Sequence, residues 1–78
     1  NMHTKVVVIT STTDPAKPDM TEHNAKIEEA RGDWDISSAH TQQEVAIVTI
    51  HTVSMPLEKE VLIVTTTLHC TKTPSLLD

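Results

Sequence analysis

The 78-residue chain has no phenylalanine and no tyrosine, and only one tryptophan, one cysteine and one glycine. An aromatic side chain buries roughly 150–250 Å². A core without them is filled by Val, Ile, Leu, Met and threonine methyls, and it is thin. The same absence removes the platforms on which single-stranded nucleic acid stacks, and a net charge of −5 opposes phosphate contacts, so nucleic acid is not an expected partner. Cys70 has no second cysteine to bridge to, and no Cys-x-x-Cys or paired Cys/His spacing frames a structural zinc site. The lone glycine, Gly32, cannot build a phosphate-cradling loop. Apolar runs fall far short of the roughly 18 residues of a membrane span. The start, Asn1-Met2-His3-Thr4-Lys5, lacks the basic, apolar and small-residue layout of a secretory signal, and Asn1 reads as a tag remnant. The expected setting is cytoplasmic and soluble, with no membrane contact and no cofactor.

What the chain does hold is three β-branched runs, Lys5 to Ile9, Val45 to Val53 and Val61 to Leu68. A strand covered on one face alternates apolar and polar residues, whereas Val7/Val8, Ile47/Val48 and Ile63/Val64 are apolar on both faces. Such runs need cover on two sides. A domain of this size buries only about 60% of its unfolded surface, so oligomerisation is the expected reinforcement.

Along the chain, Lys5 to Ser11 reads as a strand and Thr12 to Pro18 as a loop that two prolines keep out of helix and sheet. Asp19 followed by Glu22 has the spacing of a capping box, and Gly32 marks the helix end as a left-handed residue. Between them Met20, Ile27 and Ala30, with Asn24 and His23, form a narrow stripe. Trp34 to Ser38 alternates enough for an extra strand, followed by a polar connection from Ala39 to Gln43. Glu44 to Val53 and Glu60 to Cys70 then pair through a loop over Ser54 to Lys59. The expected fold is one small α+β domain over residues 1–78, βαββ or βαβββ. Its sheet is mainly antiparallel, with one helix on one face and the other face packed in a homo-oligomer. Residues 1–4 and 71–78 are expected to be flexible ends, with Leu76 and Leu77 available to dock on a neighbour.

No motif specifies a reaction. Asp33 and Asp35 flank Trp34 at the spacing that puts two carboxylates on one face of an extended chain, with Glu44 or His40 as a third member. His51 and His69 share strand parity, but in a hairpin closing through residues 54–59 they lie roughly 20 Å apart at the strand rise. Asp33, Trp34, Asp35, His40 and His51 are therefore the candidate ligand-binding residues, with no metal ligands and no catalytic set assigned. Cys70 shares a face with Leu62, Val64 and Leu68 and reads as a small buried hydrophobe. The expectation is a non-enzymatic homo-oligomeric binding protein whose partners are itself and another protein or a small ligand at the subunit boundary. Two alternatives stand beside it. One is a small enzyme with an acid/base or metal site between subunits, and the other is a viral or mobile-element accessory protein that masks a host protein.

Overall fold

Val, Ile and Thr favour the pleated conformation, and in the computed structural model, which describes residues 1–76, they build three long strands. β1 (His3–Thr13) leads through helix α1 (Thr21–Arg31) to β2 (Asp35–His51) and β3 (Pro56–Lys72). The sheet order is β1-β3-β2, and both pairings are antiparallel. The most buried strand, β3, thus takes the centre. The result is a small α+β fold.

The ladders are longer than the sequence implies. His3 pairs with Lys72 and Thr4 with Thr71, so these positions, assigned above to flexible ends, belong to the sheet. Leu77 and Asp78 lie outside the described residues. The extra strand and the polar connection after it merge into β2, which runs unbroken from Asp35 to His51 apart from a bulge at Ser37. The bulged Ser37 hydroxyl donates to the His69 carbonyl at 2.9 Å. Polar residues from Ala39 to Gln43 are accepted because β2 is an edge strand, where side chains reach water and the backbone still ladders to β3. The hairpin turn is tighter than a loop over residues 54–59. Thr52 and Met55 exchange backbone and hydroxyl hydrogen bonds, and Pro56 opens β3, where a missing N–H costs no ladder bond.

Strand parity separates two faces. Val7, Ile9 and Ser11 of β1, and Leu62, Val64, Thr66, Leu68 and Cys70 of β3, lie beneath the helix, and of these all but the half-buried Val7 are buried. Cys70 is indeed a buried hydrophobe. The helix lays His23, Ile27 and Ala30 on this surface, and Trp34 extends the stripe just beyond its end.

Helix entry and exit differ in detail from the expected box and left-handed cap. Asp19 Oδ1 accepts from the Thr21 N–H at 3.0 Å, while its own N–H donates to Thr13 Oγ1 at 2.8 Å. Glu22 does not reach back; it faces Lys26 at 3.5 Å, and Lys26 also donates to the Thr10 carbonyl. Gly32 has φ 56° and ψ −123°, the first central position of a type II′ turn, closed by the Trp34 N–H on the Arg31 carbonyl at 3.0 Å. Side-chain-bearing residues rarely adopt that geometry, and it turns Trp34 back onto the core.

β1 ends opposite Leu62, and beyond that point β2 and β3 continue alone as a two-stranded arm to the Thr52–Met55 turn. The chain measures 61 × 22 × 17 Å, with a radius of gyration of 17.3 Å. A compact domain of this length has about 11.5 Å.

Candidate functional site

The five residues singled out in the sequence do not converge. Asp33 and Trp34 sit at the helix end, Asp35 opens β2 opposite Thr71, His40 pairs with Thr67, and His51 closes the far end of the arm opposite Pro56. Asp35 and His51 are sixteen residues apart on one strand, about 54 Å at the strand rise. His51 and His69 are also further apart than the hairpin register assumed above: His51 lies beside Pro56, thirteen residues, or about 44 Å, from position 69. Among the described residues, no three His, Cys, Asp or Glu side chains are grouped so as to hold a metal ion. No helix there is long and apolar enough to cross a membrane.

Trp34 acts as a lid on the core. It packs against the Ile9, Leu68 and Cys70 cluster, with the Lys5 ammonium 4.5 Å and the Lys72 ammonium 5.8 Å from its ring centroid. Lys5 donates to the Ala30 carbonyl at 3.0 Å, satisfying an acceptor near the helix C-terminus, and Lys72 pairs with Asp33 at 2.9 Å. The Lys72 hydrogen bond, then its charge, holds the Asp33 carboxyl below its ordinary value. Asp19 is lowered as well, by the backbone N–H and hydroxyl of Thr21. A carboxyl with a depressed folded-state pKa contributes stability above its unfolded value and loses it as pH falls through the folded one. Urea midpoints should therefore drop as pH falls below about 4, and Asp33→Asn should remove part of that acid-side slope by slightly lowering the neutral-pH midpoint while leaving the acid-side one nearly unchanged. A full slope in the variant would mean the Lys72 pair contributes nothing.

One buried polar chain escaped the sequence reading. His23, 3% exposed, hydrogen-bonds through Nδ1 to Ser11 Oγ and through Nε2 to Thr66 Oγ1 at 2.7 Å, and Thr66 is linked to Thr41 Oγ1 at 2.9 Å. A hydroxyl beside an imidazole is the adjacency a nucleophile needs. The hollow next to it, lined by Ser11, Met20, His23 and Val64, holds about 10 Å³. That is scarcely the volume of one water, so no substrate carbonyl reaches Ser11. The chain pins α1 to β1 and β3, and through β3 to β2. Its sequence signal was the spacing of His23, Ile27 and Ala30 along one helix face.

The remaining candidate is the sheet surface that no helix covers. In the body it presents Val6, Val8, Thr10 and Thr12 on β1, beside Ile63, Thr65, Thr67 and His69 on β3. On the arm it continues as Val61, Lys59 and Leu57 against Ala46, Val48 and Ile50. Val6, Val8, Val48, Ile50 and Leu57 are all exposed. A concavity of about 480 Å³ opens where body meets arm, lined by Gln42, Gln43, Glu44, Ile63 and Thr65. The arm's other face carries Val45 and Ile47, also exposed. Seven of the twelve large exposed apolar side chains among the described residues fall between positions 45 and 57. An isolated two-stranded ribbon is marginally stable in water, so this element is the least self-sufficient part of the molecule.

In comparison with known proteins, no family model, no curated sequence and no solved structure matches the chain.

Proposed function

We propose that the chain is a non-enzymatic assembly and binding protein that works as a homo-oligomer through the helix-free face of its sheet, with the arm as the principal contact. Surface area carries the reading. The chain exposes 5960 Å², whereas a compact monomer of 8.6 kDa exposes about 4,700 Å². Two copies that each covered the surplus would bury about 2,500 Å² together, within the range of obligate homodimers. The uncovered area is also of the right kind, because exposed Val, Ile and Leu side chains on a ribbon make a patch that marks an interaction surface. The acidic balance makes a basic protein more compatible than a nucleic acid as a further partner.

Light scattering on the eluting peak of dilute protein tests this directly. A mass of at least twice 8.6 kDa at micromolar concentration is expected. A stably folded species of 8.6 kDa at every concentration overturns the reading.

A further inference from the structure

We infer that two copies stack their helix-free faces antiparallel, about a two-fold axis crossing the strands at the level of Ala46 and Val61, so that Lys59 of each copy seats in the Glu44 hollow of the other. The inference rests on the assembly reading above and adds its register and its specificity-determining pair.

A second copy has two ways to meet the arm, along an edge or on a face. Past the end of β1, the β3 edge is unpaired from Val61 to Pro56, and Glu58, Lys59 and Glu60 occupy its middle. When two identical antiparallel strands pair edge to edge about a two-fold axis, the residue on the axis faces its own copy. Centring that axis on position 58, 59 or 60 sets Glu against Glu or Lys against Lys, which is destabilising for directly opposed strand residues. Charges so placed guard an edge. The face remains.

On the arm's helix-free face the charged side chains are Lys59, paired with Val48, and Glu44, paired with Ile63. These two levels flank the Ala46/Val61 pair symmetrically, one step to each side. Stacked sheets sit about 10 Å apart, a gap that a lysine and a glutamate bridge. An axis lying along the strands would preserve levels and bring Glu44 to Glu44 and Lys59 to Lys59. An axis across the strands exchanges the levels and forms two Lys59–Glu44 pairs. Charge complementarity selects the second arrangement.

Two further features fit it. Ala46, half-buried at the axis, is small enough to let the sheets approach. The Glu44 level is also the site of the concavity lined by Gln42, Glu44, Ile63 and Thr65, whose carboxylate and polar neighbours suit an entering ammonium. Each strand then stacks on its own copy, so that the Lys59 stem covers Ile63 beside Glu44, and Leu57 reaches the methyl groups of Thr65 and the neighbouring Thr10.

Charge reversal in trans tests the register. Glu44→Lys and Lys59→Glu, each alone, should weaken self-association about ten- to a hundredfold in dilution series followed by sedimentation or light scattering. Mixing the two single variants should restore a species of twice 8.6 kDa containing one copy of each, because both cross pairs are then opposite in sign. The double variant should self-associate within a few fold of the parent. If the parent is a dimer and both single variants associate as tightly as it does, or if mixing restores nothing, this register is wrong while the assembly reading stands. A parent chain that stays monomeric removes both.

Discussion

Ala46→Arg should convert the assembled protein into folded monomers. Position 46 lies midway along the apolar stretch of the helix-free face, half-buried beside Val61. In the monomer an arginine there extends into water from an edge strand, so far-UV circular dichroism and Trp34 fluorescence should match the parent. In the proposed dimer the same substitution places two guanidinium groups at the axis, unpaired, desolvated and facing one another. That is worth on the order of 4 kcal/mol, or roughly a thousandfold in Kd. The matched control is Ile47→Arg, one residue away on the opposite face of the same ribbon, 66% exposed and outside the proposed contact. It removes more apolar surface than the alanine change yet should leave the mass unchanged. Equal dissociation by both variants would mean that the arm attracts through general greasiness, with no preference of face. No dissociation by either would place the contact elsewhere.

The contrast between these neighbouring positions also shows how far the sequence could be read. The pairs Ile47/Val48 and Ile63/Val64 call for cover on two sides, yet Ile47 and Val48 are exposed in the single chain, whereas the element types, the antiparallel hairpin, the Gly32 stop and the buried Cys70 follow from local pattern. The extent of β2 does not. Ala39 to Gln43 is polar and looks like a connection because edge-strand side chains need no apolar alternation once the central strand carries the core. The tight turn at Thr52–Met55 is hidden for a related reason: Pro56 and the charged Glu58-Lys59 read as loop, whereas proline is tolerated at a strand start and charge at a guarded edge. That error displaced the hairpin register and shortened the apparent His51 to His69 separation. The candidate set Asp33, Trp34, Asp35, His40 and His51 failed to assemble because proximity in sequence is stretched by about 3.4 Å per residue once the segment is a strand. In the sequence Trp34 stands as an isolated aromatic between two acids. Its partners Lys5 and Lys72 come from the far ends of the chain, and nothing local announces them.

His23 supplies the sharpest test of what holds the body together. Its imidazole is the one fully buried side chain of the helix, and it satisfies Ser11 and Thr66, themselves 9% and 2% exposed. His23→Ala removes the packing volume and leaves the Ser11 hydroxyl and one side of Thr66 without their imidazole partner. Leaving buried hydroxyls unpartnered costs about 1–3 kcal/mol, and the cavity adds to it. A total loss of about 3–4 kcal/mol is a large share of the roughly 4–12 kcal/mol expected of a chain this long. The urea midpoint, followed by the fluorescence of the single tryptophan, should fall accordingly. An asymmetry is expected as well. Replacing the whole chain at once, Ser11→Ala with His23→Leu and Thr66→Val, removes the donors and acceptors together and fills the site with methyl groups, so the triple variant should be markedly more stable than His23→Ala. Thr41, its partner gone, sits on the exposed edge strand and turns to water. If the triple variant is as unstable as the single one, the loss comes from shape and not from unpaired hydroxyls, and the polar chain is incidental to the stability of the fold.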